Sequence, residues 1–270
     1  MSTGAPAGAP EGLPSVILDV AYDGRPFSGF ARQSNGSTVA GELDRAIQSI
    51  DPAASLVRAA SRTDRGVHAK LHPVAFDPHK YITTRGWTLA LNERLPDPIS
   101  VRGARRAAFG FDPRRSLWKR YRYVLLLSHT RDPLWVGRAW RVHYRLNQKL
   151  MAEAAHSLEG EHDFAAFRGA RDERKFTVRR LVRVEVRNNS SDLRLLEIEV
   201  TGTAFLYKMV RIIAGTLVDI GRGRLEPSAI ERGFESKDRR DLGVTAPADG
   251  LYLEHVELAT ETFDAWPEHR

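Results

Sequence analysis

Runs of apolar side chains with two different spacings predict an alternation of strands and helices along this chain. Residues 15–21 are mostly apolar and predict a buried strand, which a Tyr-Asp-Gly turn at 22–24 ends. Val39, Leu43, Ile47 and Ile50 fall on one face of a helix over 38–50. The same criteria predict further strands at 55–60, 72–77, 99–107, 117–127, 177–187, 193–201 and 251–258. They predict further helices around 87–95, from a candidate cap at Asn147 to a stop at Gly160, and over 205–220.

The order of these elements predicts an α+β fold. Strands come in hairpin-like pairs with helices between them, which favours a central, mostly antiparallel sheet flanked by helices. The elements form two comparable halves, 15–127 and 128–270, which we expect to act as one unit. Residues 1–14 are rich in Ala, Gly and Pro and have the composition of a disordered tail rather than a signal peptide.

Composition excludes several classes of protein. The chain has no cysteine, which removes disulfides, thiolate zinc sites and cysteine nucleophiles and fits a reducing compartment. No window approaches the ~20 apolar residues of a membrane-spanning helix. We therefore expect a cytoplasmic protein that does not enter a membrane.

Positive charge is concentrated in the middle of the chain. The formal net charge is +7, and residues 102–145 hold twelve Arg or Lys against two Asp, whereas the region from 226 to the end is acidic. Such a concentration is expected where one face of a protein meets a polyanion. Only seven of the 41 basic residues are Lys, and the planar guanidinium of Arg suits phosphate and bases. Solvated arginines without a partner are the alternative explanation.

Common cofactor and metal motifs are absent from the sequence. There is no phosphate-binding Walker loop, no dinucleotide glycine motif, no Gly-x-Ser-x-Gly and no His-Glu-x-x-His. His68 and His72 are four residues apart, but Gly66 and Pro73 bracket them and disfavour the helix that would pair them. A loop role for this pair is therefore preferred to metal binding.

The segment 60–69, Ala-Ser-Arg-Thr-Asp-Arg-Gly-Val-His-Ala, is the best candidate for chemistry. It follows a predicted strand, and strand ends hold catalytic groups on a rigid support. Asp64 lies between Arg62 and Arg65, which we expect to keep it ionised and available as a nucleophile or base. The alternative is a turn that Asp and Thr stabilise through the local backbone.

Residues 61–69 resemble the signature loop [GS]-R-T-D-x-G-V-H-[AG] of the TruA family of tRNA pseudouridine synthases. Other stretches are similar to that family in the same order. They are 22–24, 29–33, 87–89, 119–123, 162–164 with 167–168, 205–211 and 250–253. The resemblance thus covers nearly the whole chain after the tail.

The resemblance implies a fold and a function. The implied fold is a pseudouridine synthase fold, a mostly antiparallel sheet from two ferredoxin-like halves with a basic cleft between them. The implied activity is that of an isomerase, which converts uridine to pseudouridine on the 3′ side of the anticodon stem–loop of tRNA. It implies a homodimer that holds tRNA across both subunits, and neither a cofactor nor a metal.

The resemblance also assigns roles to single residues. It implies that Asp64 is the catalytic carboxylate, that Tyr121 is an active-site tyrosine, and that Arg211 pairs with Asp64. Arg62 matches the arginine that helps to flip the target nucleotide. Four further basic residues are expected to contact RNA, namely Arg65, Arg114, Arg168 and Lys208.

Each assignment has a structural alternative. Tyr121 could face the core together with Tyr123, two residues along the same strand. Arg211 lies in an apolar segment, where a buried guanidinium needs an anionic partner. Two departures from the family pattern, Arg65 and Asp112, bear on which RNA is used.

Two other functions stay open at the level of sequence. The chain could carry out the same chemistry on another RNA, or it could be a non-catalytic RNA-binding relative. The family motifs also leave open whether the carboxylate attacks the sugar, attacks the base or removes a sugar proton.

Overall fold

A computed structural model describes residues 12–170 and 172–267 of the chain. Most of the predicted tail, residues 1–11, lies outside this described part, and residues 12–14 precede the first strand. The strands are β1 (Ser15–Tyr22), β2 (Arg58–Ala59), β3 (His68–Phe76), β4 (Ile99–Ala107), β5 (Ser116–Leu127), β6 (Trp140–Val142), β7 (Gly160–Asp163), β8 (Val178–Asn188), β9 (Leu195–Gly202), β10 (Leu251–Leu258) and β11 (Phe263–Trp266). The helices are α1 (Val39–Ile50), α2 (Thr84–Asn92), α3 (Gln148–His156), α4 (Met209–Gly221) and α5 (Ala229–Ser236).

The strands form one sheet, in the order β11-β4-β1-β3-β10-β5-β9-β8-β7, with β2 paired to β3 and β6 paired to β5. Neighbouring strands are antiparallel except for β10 with β3 and β6 with β5, which are parallel. The prediction of an α+β fold with a mostly antiparallel central sheet is confirmed. The last long strand, β10, lies between β3 and β5 and so joins the two sides of the sheet.

Local sequence explains the helices that were predicted. The side chain of Thr38 accepts a hydrogen bond from the Gly41 amide and begins α1, and Leu43 and Ile47 on its inner face are fully buried. Asn147 caps α3 in the same way, accepting from the Leu150 amide. A helix with one apolar face packs that face on the sheet and leaves its polar face in water.

Some predicted limits were wrong, and tertiary contacts explain them. The helix predicted over 205–220 begins only at Met209, because Lys208 has the left-handed backbone angle φ 61° that no α-helix continues through. The strand predicted at 72–77 begins at His68, since pairing with β1 and β10 extends it. Only 58–59 of the strand predicted at 55–60 is paired.

Gly160 does not end α3, which stops at His156; it begins β7 with φ 101°. Four short elements, β6, β7, β11 and α5, were not predicted. The three strands have only three or four residues, and α5 has about two helical turns, so each carries little periodic signal. Within the described residues, no helix has the length and apolar character needed to cross a membrane.

Candidate active site

The loop over 61–67, between β2 and β3, faces a cavity of about 900 Å³. Three elements bring the proposed catalytic side chains to it: Asp64 comes from the loop, Tyr121 from β5 and Arg211 from the first turn of α4. These residues are far apart in sequence, and the sheet order places their elements around one opening. The rest of the lining includes Ser61, Arg62, Thr63, Arg65, Arg114, Lys119, Arg174, Phe205 and Lys208.

Asp64 and Arg211 form an ion pair at the cavity wall. Arg211 Nη1 donates to Asp64 Oδ2 at 3.2 Å, and the side chains of Arg211 and Asp64 are only 15% and 19% exposed. Arg211 Nε also donates to the Ala246 carbonyl at 2.8 Å, and the Arg211 carbonyl accepts from the Ala246 amide at 3.0 Å. The guanidinium is therefore fixed by the backbone of the segment that leads to β10, and its Nη1 donates to the carboxylate.

The electrostatic setting of Asp64 differs from the sequence-based expectation. Burial raises the pKa of the Asp64 carboxyl above its ordinary value, and the opposing attraction of Arg211 and Lys208 only partly offsets this. Arg62 and Arg65 were expected to supply the positive charge that keeps Asp64 ionised, and this assignment of the source of charge was wrong. Both are exposed, and the charges that act on Asp64 come from α4 and the residue before it.

Tyr121 is buried beside the loop. Its hydroxyl is 2.7 Å from Ser61 Oγ, and its ring meets Phe205 edge-on at 5.0 Å between centroids. Burial raises the pKa of Tyr121 to about 12, and the negative charge of Asp64 adds to the rise. The phenol is therefore neutral at neutral pH. As the structural alternative expected, Tyr121 and Tyr123 are both buried. Their hydroxyls have different partners, however, because Tyr123 donates to the Pro247 carbonyl at 2.7 Å.

The residues predicted to contact RNA occupy different places. Arg62, Arg65, Arg114 and Lys208 line the cavity. Arg168 lies outside the lining, where its Nη1 donates to the Arg174 carbonyl at 3.0 Å. Their contacts with RNA stay predictions.

Arg114 is oriented by the residue that departs from the family pattern. Asp112 Oδ2 accepts from Arg114 Nη2 at 2.6 Å, while 76% of the Arg114 side chain is exposed. Asp112 therefore orients a guanidinium that lines the cavity and is still exposed to solvent.

Ser61 and Lys119 are two cavity residues that the sequence did not single out as part of the site. Ser61 was read as part of the loop motif, yet its hydroxyl contacts Tyr121. Lys119 begins the stretch 119–123 that contains Tyr121, and its Nζ donates to the Ala60 carbonyl at 2.5 Å. Burial lowers the pKa of the Lys119 ammonium. The run of basic and aromatic residues at 119–123 was the available signal, because alternate residues of a strand share one face.

Basic side chains dominate the cavity lining. Among its lining residues Asp64 is the single carboxylate, against seven cations: Arg62, Arg65, Arg114, Lys119, Arg174, Lys208 and Arg211. Such a surface attracts a polyanion and disfavours cationic partners.

His68 and His72 do not share a ligand geometry. His68 Nδ1 accepts from the Gly24 amide at 3.2 Å, and His68 Nε2 is 3.0 Å from the Gly137 carbonyl oxygen. His72 instead contacts Tyr22 and the backbone of Ser61. Within the described residues, no three or more His, Asp or Glu side chains are grouped to hold a metal ion.

Known proteins resemble this chain over most of its length. A family model described as tRNA pseudouridine synthase matches residues 154–258. The tRNA pseudouridine synthase A of Pelobacter propionicus is 38% identical over 245 residues, covering 90% of this chain and 98% of that protein. The protein of the same name from Bacillus subtilis is 39% identical over 240 residues, 88% of this chain and 96% of that protein. A chain in the crystal structure of a Cbf5-Nop10-Gar1 complex overlaps 76% of this chain and 45% of its own length at 12% identity and a TM-score of 0.38, too slight a likeness to bear on function.

Proposed function

The chain belongs to the TruA family of tRNA pseudouridine synthases, and we propose that it isomerises uridine to pseudouridine in the anticodon stem–loop of tRNA. The membership follows from relatives that are 38–39% identical over about nine-tenths of the chain. The observation that supports the activity most directly is the Asp64–Arg211 pair at 3.2 Å on the wall of a basic cavity. The positive charge of the cavity matches a tRNA substrate, because RNA carries a negatively charged phosphate on every nucleotide.

The reaction breaks the glycosidic bond between C1′ and N1, turns the uracil and joins C1′ to C5. C5 then loses its proton and N1 takes one up, so that product and substrate are isomers. Every proposed route requires Asp64 as an unprotonated carboxylate, whether it attacks the sugar, attacks the base or removes a sugar proton. Arg211 supplies the charge that keeps enough of this buried group ionised, and it fixes the direction of the carboxylate. Lys208 adds a second favourable charge.

Tyr121 acts as a neutral phenol in this proposal. Its pKa of about 12 keeps the proton on the hydroxyl, so the residue is a hydrogen-bonding partner rather than an anionic base. The ring offers an aromatic surface to the detached uracil, and the hydroxyl, paired with Ser61, lies next to the loop that carries Asp64. The exposed Arg62 enters the RNA as the target nucleotide leaves the stack, which costs a few kcal/mol.

The remaining basic residues bind the RNA backbone. Arg65, Arg114, Arg168 and Lys208 contact phosphates, which position the substrate without reading its sequence. We propose that the halves 15–127 and 128–270 form one catalytic unit, that two chains form a homodimer that holds one tRNA, and that the enzyme acts in the cytoplasm.

Purified protein incubated with unmodified tRNA and no added cofactor tests the activity. Pseudouridine is measured by mass spectrometry after labelling with a carbodiimide. We expect Asp64→Asn to lose more than about 10⁴-fold in rate, because the amide cannot act as nucleophile or base. Binding of tRNA should change by less than about threefold, since one polar group of similar size replaces another.

Asp97→Asn is the matched control, an exposed aspartate outside the cavity lining that should keep full activity. Normal turnover by Asp64→Asn would end the proposal. Mapping pseudouridine in cells that lack the gene tests the substrate: loss confined to another RNA or another tRNA arm would contradict the anticodon stem–loop.

A further inference from the structure

Two buried polar side chains hold the inner side of the catalytic loop and have no part in the steps above. Tyr22 at the end of β1 is 5% exposed, and His72 in the middle of β3 is 0% exposed. The two strands are hydrogen-bonded neighbours, so their side chains meet beneath residues 61–63. Burial of two polar groups in one place is costly unless each finds partners.

Both side chains find those partners in the loop. His72 Nε2 accepts a hydrogen bond from the Ser61 backbone amide at 3.1 Å, and its Nδ1 is 3.2 Å from the Tyr22 hydroxyl. The Tyr22 hydroxyl is in turn 2.7 Å from Thr63 Oγ1. A continuous chain of hydrogen bonds therefore runs from Ser61 through the buried pair to Thr63.

The direction of each hydrogen bond follows from the state of His72. Burial lowers the pKa of His72 to about 3, and the neighbouring charge of Lys119 contributes, so the imidazole is neutral at physiological pH. Because Nε2 accepts from the Ser61 amide, the single ring proton lies on Nδ1. Nδ1 then donates to Tyr22, and Tyr22 donates to Thr63.

The two anchored loop residues are those that support the reacting groups. Ser61 carries the hydroxyl that contacts Tyr121, and Thr63 directly precedes Asp64. Arg62 between them is exposed and makes no part of this chain of hydrogen bonds. Hydrogen bonds thus anchor the loop at Ser61 and Thr63, while the side chain of Arg62 is exposed to solvent.

We propose that Tyr22 and His72 are positioning residues that fix Ser61 and Thr63, and through them the places of Tyr121 and Asp64, before RNA binds. The inference rests on the proposed function for its kinetic effect, but its geometry does not. A pair that only fills space would affect stability and leave turnover per folded molecule unchanged.

The tautomer of His72 tests the geometry without any assay of activity. Two-dimensional ¹H–¹⁵N spectra of protein labelled in the histidine rings report which nitrogen carries the proton. We expect His72 to stay neutral from pH 5 to 8 with its proton on Nδ1. A proton on Nε2, or an imidazolium that forms within this range, would overturn the proposal.

Kinetics of hydroxyl-deleting variants test the positioning. Tyr22→Phe and Thr63→Val each remove one end of the same hydrogen bond, and we expect each to lower kcat by about tenfold with KM within about twofold. The double variant should be no slower than Tyr22→Phe, because that variant already removes the hydrogen bond to Thr63. Thr88→Val, which removes a buried hydroxyl that bonds only within α2, should keep kcat and serves as the matched control.

Rescue at position 72 separates positioning from packing. His72→Leu should lose about tenfold or more in kcat, whereas His72→Gln should recover most of it, since its amide oxygen can accept from Ser61 and its amide nitrogen can donate to Tyr22. If folded Tyr22→Phe and His72→Leu keep the wild-type kcat and only their melting temperatures fall, the proposal is wrong. A wild-type protein without activity would instead remove the proposed function, and the spectra would still decide the geometry.

Discussion

Two sets of buried ion pairs in this protein make an instructive contrast. In the cavity, Asp64 has one ion-pair partner within residues 12–170 and 172–267, Arg211 at 3.2 Å. On the sheet, Glu254 of β10 has two, Lys70 Nζ at 2.7 Å and Arg122 Nε at 3.0 Å. The two carboxylates are similarly shielded, at 19% and 14% exposure, so solvent alone does not distinguish them.

The pairs on the sheet continue as a ladder across the strands. Arg122 Nη1 also contacts Glu197 at 3.0 Å, and Glu197 has a second cation in Arg187 at 3.3 Å. Because side chains alternate along β5, Arg122 points away from the face that carries Tyr121. A continuous series of ion pairs therefore runs across the sheet through Lys70, Glu254, Arg122, Glu197 and Arg187.

The pKa values record the difference between the two sets. Burial pushes the pKa of Glu254 up, but the hydrogen bond from Lys70 and the charge of Arg122 outweigh it, and the net shift is downward. For Asp64 the same competition ends with a net rise. A carboxylate with a cation at each of its two oxygens contributes to stability. A carboxylate with a cation at only one oxygen has the other oxygen available for a substrate.

Removal of Arg211 should give the largest effect and sharpen this contrast. In Arg211→Met the buried carboxylate loses the one ion-pair partner that it has among the described residues, and we expect kcat/KM to fall by about 10³-fold, roughly 4 kcal/mol. The acid limb of activity should also move to higher pH, because only burial and Lys208 then act on Asp64. Arg232→Met, an exposed arginine of α5, controls for the loss of one positive charge. Unchanged turnover would show that the Asp64–Arg211 pair is incidental.

Removal of Arg122 should have a smaller effect, and on stability only. In Arg122→Met the two glutamates each keep a second cation, so we expect the free energy of unfolding to fall by about 2 kcal/mol, less than for an isolated buried pair. Turnover per folded molecule should stay within about twofold. Lys70→Met, at a side chain that is 60% exposed, should cost less than about 0.5 kcal/mol in chemical denaturation. A loss of activity in Arg122→Met without a loss of stability would break the contrast.

The pH dependence should separate the two sites most finely. The pKa of Asp64 lies above its ordinary 3.8, so activity falls as pH falls through that raised value, while protonation there favours the folded state. The pKa of Glu254 lies below its ordinary 4.5, so its contribution to stability is present above 4.5 and is lost as pH falls further. Catalysis should therefore decline in acid before the fold weakens. A difference of one pKa unit between the folded and unfolded states changes the free energy of unfolding by about 1.4 kcal/mol. Profiles of kcat/KM and of unfolding that decline together would contradict this.

The sequence predicted the long elements of the fold better than the short ones. Ile99–Ala107 and Leu251–Leu258 have the predicted limits, because alternating or continuous apolar runs of that length leave little freedom. The start of α4 could not be predicted, since Leu206 and Met209 are equally apolar and the helix is stopped by the backbone angle of Lys208. The strand order with β10 between β3 and β5 depends on pairing between distant residues, which periodicity does not record.

The candidate site shows the same limit. The loop motif indicated Asp64 as a functional residue, but its neighbours Arg62 and Arg65 were the wrong source of charge. Adjacent residues in a loop need not face each other, whereas Arg211, 147 positions away, does face the carboxylate. Its role came from family resemblance, and the buried pair of Tyr22 and His72 became visible only through contacts.

The position of β10 sets how the cavity can accept a substrate. Leu253 pairs with both Ala69 of β3 and Tyr121 of β5, so the strand is bonded along both edges close to the catalytic loop. Movement of the two sides of the sheet away from each other would require breaking the backbone hydrogen bonds along one of these edges. If the proposed function holds, the protein keeps its conformation when it binds and the RNA changes its own. Stem–loops in which the target uridine is already weakly paired and stacked should therefore be modified fastest.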